Sequence, residues 1–247
     1  MNIIEYLNTE PNNFKYEEER KPETAISYVT SDILVTDIRK FLGWFNNPNI
    51  AGRFDPPIKT YQDCLNHYSK NTSISLVAKD EFSNPLGVLT FEKEDKYYNN
   101  FISYIRKTSE KRPKESNSEE LLEMYILEKF GQSEKHAYLT KVVVDPDKTG
   151  QGIGSQLLAV GLDHFFYDLK YDICTTWVMA GEKSGNWDLP LRFFRKAGFT
   201  IMPHNLAQWQ DYSKEIEKRG DEKISEALWL YITPELWKKT KKQKLFL

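Results

Sequence analysis

Apolar residues along this chain change period repeatedly, from the alternation typical of strands to the spacing typical of helices. The apolar segments that predict strands are Ala25–Val29, Ser73–Lys79, Leu86–Glu92, Ala137–Val144, Ile173–Met179, a segment from Phe199, and Ala227–Ile232. The segments that predict helices are one after Thr36 as its N-cap, Thr60–Ser69, Ser155–Leu169, Leu189–Lys196 and the polar residues 205–224. The pattern therefore predicts a globular region that mixes strands and helices from residue 25 onward.

The segments outside this pattern divide the chain into predicted parts. Residues 1–24 are polar and interrupted by prolines, which indicates an N-terminal extension to a domain at 25–235. Within that domain, 93–136 is rich in charge yet carries apolar stripes at helical spacing, so we expect a helical insertion there. Residues 236–247 hold five lysines and predict a basic, solvated C-terminal tail.

Composition and charge exclude several classes of protein. The 247 residues include 34 basic and 36 acidic side chains, a net charge of −2, so we expect neither nucleic acid nor an anionic membrane as a partner. No apolar stretch approaches the roughly 18–20 residues of a membrane span, and the acidic start of the chain argues against a signal peptide. Cys64 and Cys174 lack metal-ligand spacing, so neither zinc nor a disulfide framework is expected, and a cytoplasmic location is the default.

A glycine-rich loop is the most informative segment of the sequence. Gly150, Gly152 and Gly154 alternate between a predicted strand and a predicted helix. Glycines allow positive φ angles and the close approach of a ligand to the backbone, and the N–H groups at the start of a helix attract phosphate. A tight strand-to-helix turn is the simpler alternative, although three glycines exceed what a turn requires.

The residues beside these glycines argue against two common phosphate-binding loops. A Walker A loop ends in Gly-Lys-Ser/Thr, whereas Gly154 is followed by Ser155 and Gln156. A dinucleotide-binding loop needs a third glycine or alanine, and that place holds Ser155 or Leu157, depending on the glycine from which the count begins. A nucleotide-dependent oxidoreductase is therefore disfavoured.

Two motifs resemble the GNAT superfamily of acyl-CoA-dependent N-acyltransferases. The central motif of that family, a strand ending in Val-x-Pro before Arg or Gln and Gly-x-Gly-x-Gly/Ala, is similar to Val144-Asp145-Pro146 followed by 149–154. Its later signature, an Asn before an aromatic-x-Lys-x-Gly-Phe, is similar to Asn186 followed by 194–199. The stretch Thr36–Phe54 also looks like the first helix of relatives that acylate protein N-termini or small amines, and the resemblance covers about 25–235.

The resemblance implies an α+β fold with a mostly antiparallel central sheet, helices on both faces and a helical insertion. It also implies acetyl-CoA as co-substrate, with the pantetheine arm paired to the strand before the loop and the pyrophosphate held by the loop amides. The cofactor-binding residues that it implies are Val142, Val143, Val144, Thr149, Gly150, Gln151, Gly152, Ile153, Gly154, Ser155, Asn186 and Phe194.

Two of these residues depart from the family pattern. Thr149 replaces the usual Arg or Gln, which predicts weaker CoA binding. Phe194 replaces a Tyr that protonates the departing thiolate in many members, so the thiolate either leaves unassisted or takes its proton from another donor.

The reaction of the family also needs a proton acceptor for the attacking amine. His136 and Tyr138 share one face of the strand before the loop, and the resemblance places His136 where some relatives carry a basic Glu. Glu92, at the end of the neighbouring strand, is the third catalytic candidate. An unperturbed histidine has a pKa of about 6.5, which suits proton transfer near neutral pH. A histidine that only begins the strand is the alternative.

The resemblance implies an acetyl-CoA-dependent N-acetyltransferase that acts by direct attack of a primary amine of a small molecule, peptide or protein. The alternative is a non-catalytic acyl-CoA-binding protein, which would tolerate Phe194 and the lack of a clear base. We further expect the insertion at 93–136 to lie near the place where the acceptor amine binds, either as a wall of the active-site cleft or as a contact in a homodimer. A peripheral hairpin that packs only on its own sheet is the alternative.

Overall fold

The structure, a computed structural model, describes residues 26–48, 58–69, 72–93, 135–180, 188–201 and 226–242, with Ile102 and Glu128 as isolated positions. Strands in these ranges are β1 (Tyr28–Thr30), β2 (Ser73–Lys79), β3 (Pro85–Glu92), β4 (His136–Val144), β5 (Ile173–Ala180), β6 (Thr200–Ile201) and β7 (Glu226–Ile232). Helices there are α1 (Val35–Phe45), α2 (Tyr61–Tyr68), α3 (Ile153–Asp163), α4 (Asp188–Lys196) and α5 (Pro234–Lys242). None of the helices in the described ranges is both long and apolar enough to span a membrane.

Several predicted segments lie outside the described residues. They are the extension at 1–24, Asn186, the helix at 205–224, the last residues of the predicted tail, and the insertion except for positions 93, 102, 128, 135 and 136.

The seven strands form one sheet in the order β1-β2-β3-β4-β5-β7-β6. Among the described strands, β4 and β5 are the one parallel pair, and every other neighbouring pair is antiparallel. Helices pack on both faces of this sheet. The predicted α+β fold with a mostly antiparallel sheet is therefore confirmed.

Alternation along the central strands divides the core between the two faces of the sheet. Val88 and Val143 pack with α1 in one apolar cluster. Leu89, Phe91 and Leu139 pack with α3 in a larger cluster. We call these the α1 face and the α3 face.

The N-cap of the first helix lies two residues before the predicted Thr36, and the helix begins at Val35. Residue Leu34 occupies the N-cap position, and the carboxylate of Asp37 accepts its N–H at 2.9 Å. The same Asp37 oxygen lies 2.9 Å from Nζ of Lys79 in β2, with both side chains at most 3% exposed. The Asp37 carboxylate therefore binds both the start of α1 and β2, and this fixes where α1 begins. The N-cap is Leu34 and not the predicted Thr36.

The basic end of the chain corrects the prediction of a solvated tail from residue 236. Residues Pro234–Lys242 form α5, and the Trp237 side chain is completely buried. Its Nε1 donates to Oδ1 of Asp163 at 2.8 Å, and Nζ of Lys241 lies 2.8 Å from Oδ2 of the same carboxylate. The lysine-rich composition concealed one apolar side chain that anchors α5 to the end of α3.

The two ends of the predicted insertion are both bonded to the segment just before β5, through Tyr171 and Asp172. The Tyr171 hydroxyl donates to the carbonyl of Lys93 at 3.2 Å, where the chain leaves β3. The Lys135 N–H donates to Asp172 Oδ2 at 3.0 Å, where the chain returns to β4. Both ends therefore lie beside Glu92, the last residue of β3, and His136, the first residue of β4.

Gly161 permits the close approach of α3 to the sheet, and Gly161→Ala should test this packing. A Cβ at this position would overlap Leu89 Cδ2 and lie 2.9 Å from Phe91 Cε2, and both of these side chains are fully buried. The matched control is Gly43→Ala in α1, where a Cβ would meet no atom within 4 Å. Both changes gain the same helix propensity, so overpacking should leave Gly161→Ala less stable than Gly43→Ala by about 1–3 kcal/mol in urea unfolding. Equal stability of the two variants would contradict close packing at Gly161.

Candidate active site

The segment after β4 is a short loop that its own polar groups hold in place. The Asp145 N–H donates to the carbonyl of Leu86 at 2.9 Å, and its Oδ1 accepts the N–H of Asp147 at 3.1 Å. The Thr149 hydroxyl donates to the carbonyl of Pro146 at 3.2 Å. The glycine-rich loop therefore starts from a fixed point at the end of β4.

The three glycines of the loop have two different roles. Gly150 and Gly152 have φ of +80° and +76°, the left-handed region that favours glycine. A Cβ at Gly150 would meet nothing within 4 Å, so its conformation rather than lack of space requires glycine. Gly154 instead allows close packing, since a Cβ there would lie 3.3 Å from Val144 Cγ2 and 3.6 Å from Phe193 Cε2.

The start of α3 fits an anionic group. The helix begins at Ile153 directly after the left-handed Gly152, which places the first-turn N–H groups beside the loop. These N–H groups have no partner within the helix, and the helix dipole adds partial positive charge there. The backbone from Thr149 to Ser155 therefore has the conformation that a phosphate-binding loop needs, and phosphate binding there stays a prediction.

The sheet opens between β4 and β5 at the same end. The two strands pair over three residues only, and the last pair is Tyr138 with Thr175. Beyond it, β5 stays paired with β7 as far as Ala180, while residues 139–144 of β4 pair with β3 among the described strands. We call the gap between 139–144 and 176–180 the β4–β5 opening. One main-chain edge of residues 142–144 faces this opening. A pantetheine arm that pairs with β4 like an added strand would need such an edge.

A β-bulge lies in β4 where the opening starts. Phe91 pairs with Leu139 and Thr90 pairs with Lys141, so Thr140 is the extra residue. The Thr140 hydroxyl donates to the carbonyl of Thr90 at 3.0 Å. Because of this extra residue, both Tyr138 and Lys141 lie on the α1 face.

The three catalytic candidates share the α1 face at the end of the sheet where the opening begins. Glu92 is directly opposite Tyr138 in the β3–β4 register. His136 lies two residues before Tyr138 and therefore on the same face, opposite Ile173. Tyr138 is buried, whereas His136 and Glu92 are half-buried. The structure thus brings these residues together beside the opening, with Tyr138 the nearest of them along β4.

A set of buried polar residues lies on the α1 face and was not predicted from the sequence. Lys141 is 4% exposed although it carries an ammonium group. Beside it, the hydroxyl groups of Ser75 and Thr90 lie 3.0 Å apart, and burial raises the pKa of Tyr68 well above its ordinary value. Polar residues in strands that are otherwise apolar were the available signal. Only the strand register shows that they share one face.

Two further predicted cofactor-binding residues have different outcomes. Asn186 lies outside the described residues. Phe194 is buried in the α3-face core, with ring centroids 5.1 Å from Phe193 and 5.2 Å from Phe199. Its phenyl ring has no proton to give a departing thiolate, whichever group it contacts.

Cysteine chemistry and a metal site find no support in the described part of the chain. Burial raises the pKa of Cys64 to about 12, so this thiol stays protonated and a poor nucleophile at neutral pH. Cys174 is also buried. No group of three His, Cys, Asp or Glu residues that could hold a metal ion occurs among the described residues.

A large cavity lies elsewhere, beyond the outer edge of β2. Its volume is about 810 Å³, and its lining includes Tyr68, Ser75, Asp163 and His164. None of its described lining residues belongs to the β4–β5 opening or to the glycine-rich loop. The candidate active site is therefore a gap between strands rather than this cavity.

Comparison with known proteins gives a family match over the region of the chain that holds the candidate site. Residues 38–199 match the model of the acetyltransferase (GNAT) family. No curated protein matches the chain in sequence.

Solved structures of similar fold include enzymes from Vibrio cholerae. Spermidine N-acetyltransferase from that organism, in complex with CoA and spermine, is 15% identical with a TM-score of 0.53, and the match covers 85% of this chain and 96% of that one. A chimera of the Vibrio cholerae enzyme and hSSAT is 12% identical with a TM-score of 0.53, covering 87% of this chain and 97% of that one. At such identities these structures show a shared fold.

The family match contains all of α1 but its first turn, the catalytic candidates, the β4–β5 opening and the glycine-rich loop, and it extends over most of the chain. It confirms the predicted family and, with it, an acetyltransferase domain that takes acetyl-CoA as co-substrate. The chain belongs to the acetyltransferase (GNAT) family.

Proposed function

We propose that this protein transfers an acetyl group from acetyl-CoA to a primary amine of a small molecule, peptide or protein by direct attack. One observation carries this proposal: the unpaired edge of β4 and the glycine-rich loop meet at the same end of one strand. A thioester arm laid along Val142 to Val144 would therefore bring its phosphates to the first turn of α3.

The loop residues fit CoA without help from a charged side chain. Gly150 and Gly152 keep the backbone in the left-handed conformation, and no Cβ stands between their amides and a ligand. Thr149 bonds to the carbonyl of Pro146, so its hydroxyl stabilises the loop. The amides at Thr149 to Ser155 would bind the pyrophosphate, as charge-assisted hydrogen bonds to backbone N–H groups.

The reaction needs one bond made, one bond broken and one proton moved. The amine nitrogen attacks the thioester carbonyl carbon, the new C–N bond forms and the C–S bond breaks, giving an amide and CoA thiolate. The amine loses a proton, which we assign to His136 or Tyr138, with Glu92 as the neighbouring alternative. Since Phe194 has no proton to give, the thiolate leaves unassisted or is protonated by another group.

The fold neighbours offer a first choice of acceptor amine. The similar Vibrio cholerae structure contains spermine, so polyamines belong in any amine panel. A non-catalytic acyl-CoA-binding protein is the second candidate, favoured by the buried phenyl ring of Phe194. Amine-dependent release of thiol from acetyl-CoA supports catalysis. CoA binding without release, across small amines, peptides and polyamines, supports the second candidate.

Gly152→Val should test the phosphate cradle. The new side chain forces a left-handed residue out of its conformation at +76° and adds bulk beside the loop amides. We expect CoA affinity to fall by about 2 kcal/mol or more, about 30-fold, as charge-assisted hydrogen bonds are lost. Calorimetry with CoA measures the loss.

Two controls separate phosphate binding from folding. Gly43→Val adds the same side chain to open space in α1 and should leave CoA affinity unchanged. The acetyl thioester of N-acetylcysteamine lacks the phosphates and should react equally with wild type and Gly152→Val. Unchanged CoA affinity in folded Gly152→Val would remove the assignment of the loop.

A further inference from the structure

We propose that Thr176 and Thr140 are positioning residues that hold the bulged part of β4 so that the N–H of Val142 points into the β4–β5 opening as the oxyanion donor. This inference rests on the proposed acetyl transfer and assigns residues that act on the backbone donor. Neither threonine belongs to the family motifs quoted above.

The direction of the main-chain groups along β4 follows from two hydrogen bonds. The Asp145 N–H points to β3, where it bonds to Leu86 at 2.9 Å. Main-chain groups of successive strand residues point to opposite edges, so those of Val144 and Val142 point to the opening. The carbonyl of Leu139 also points to this side, since it accepts from the Thr176 hydroxyl at 2.9 Å.

The bulge explains how Leu139 and Val142 can share one edge. Residues three apart in a regular strand point to opposite edges, and the extra Thr140 shifts this alternation by one position. Its hydroxyl is bonded to the carbonyl of Thr90 in β3 at 3.0 Å. Thr140 therefore fixes the bulge from the β3 side.

Thr176 fixes the same stretch from the β5 side. It is 3% exposed and follows Thr175, the last residue that pairs with β4. In a continued ladder, a backbone N–H of β5 would satisfy the carbonyl of Leu139. The Thr176 hydroxyl takes that place, so the ladder ends without leaving a buried carbonyl unsatisfied. The next group of β4 on this edge is the N–H of Val142, which pairs with no described strand.

Such a donor contributes to catalysis only when it is held in place before the reaction. Removal of one oxyanion donor typically lowers kcat by about 100- to 1,000-fold, and a misplacement of about 1 Å costs about 100-fold. Two hydroxyl groups that fix Leu139 and Thr140, just before Val142, from the β5 side and the β3 side provide this rigidity. Loss of either hydroxyl should weaken polarisation of the thioester carbonyl while the donor itself remains.

Thr176→Val should show this effect when the carbonyl is observed directly. The probe is acetyl-CoA labelled with ¹³C at the acetyl carbonyl, bound to the full chain and measured by difference infrared spectroscopy. In wild type we expect the carbonyl stretch of the bound probe to lie below that of the free probe. In Thr176→Val most of this shift should disappear and kcat should fall by about 10- to 100-fold, whereas Thr176→Ser should restore both.

Thr175→Val is the matched control. Thr175 is completely buried in the same strand, and its hydroxyl lies 3.4 Å from the carbonyl of Ala137, inside the paired part of the ladder. We expect a normal carbonyl shift in this variant. Should Thr176→Val not fold, Thr140→Val makes the same prediction from the β3 side.

The outcomes separate this inference from the proposed function. Wild type that does not bind acetyl-CoA overturns the acetyl transfer and the inference with it. Wild type that binds and polarises the probe, together with a folded Thr176→Val of unchanged shift and kcat, overturns the role of Thr176 alone. Equal losses in Thr175→Val and Thr176→Val would also overturn it, because the effect would then be a general one of β5.

Discussion

Asp37→Leu should lower the free energy of unfolding by about 3–5 kcal/mol, because it leaves a buried ammonium group without its counter-charge. Oδ2 of Asp37 lies 2.9 Å from Nζ of Lys79, and the side chains are 2% and 3% exposed. The same oxygen accepts the N–H of Leu34 at the start of α1, so the change also removes a helix cap. Urea unfolding followed by circular dichroism measures the loss.

A double-mutant cycle shows whether the pair or the single charge matters. Lys79→Met should also destabilise strongly, since it leaves the Asp37 carboxylate buried. The double variant Asp37→Leu/Lys79→Met buries two apolar side chains instead, and replacing a whole buried pair in this way is often neutral. We therefore expect the double variant to be more stable than either single variant. Additive losses would show that each residue acts alone.

This ion pair also shows what sequence could not provide. From the sequence alone, Asp37 is only an acidic residue in the first turn of the helix predicted after Thr36, which is a local feature. Its partner Lys79 is far away in the chain, in a strand predicted from apolar alternation. The pair exists because β2 and α1 meet on one face of the sheet, and no spacing rule contains that contact.

The elements near the candidate active site also fall into those that the sequence predicts and those that only strand pairing defines. The strand, the glycine-rich loop and the following helix were predictable because glycine conformation and helix dipoles act over a few residues. The bulge at Thr140 was not, because it is defined by the pairing of Thr90 with Lys141 across two strands. The polar residues of the α1 face were hidden for the same reason.

Trp237 shows the limits of composition. Five lysines in the last twelve residues predict a solvated tail, whereas Trp237 and Lys241 both bond to Asp163 in α3. Here a tertiary contact outweighs a local pattern, because one apolar side chain is enough to anchor a helix whose other residues are mostly polar.

His136→Ala should lower kcat by about 100-fold and leave CoA affinity unchanged, if His136 accepts the proton of the attacking amine. His136 lies on the α1 face beside Tyr138 and Glu92, whereas the loop that would hold CoA lies at the other end of β4. A histidine base must be neutral to act, so the wild-type rate should fall as the pH drops through the range where imidazole gains a proton. This fall should vanish from the pH–rate profile of His136→Ala.

The controls for this prediction distinguish the three candidates on the α1 face. His164→Ala removes a histidine of the π-helical turn, whose Nδ1 lies 2.9 Å from Asp168, and should change neither kcat nor the pH profile. Tyr138→Phe keeps the buried ring and removes only the hydroxyl, so a loss there with normal His136→Ala moves the role to Tyr138. Normal rates and pH profiles in both variants would rule out this pair. The proton would then go to Glu92, directly opposite Tyr138, or to solvent, and Glu92→Gln separates these two because only a carboxylate base is lost with it.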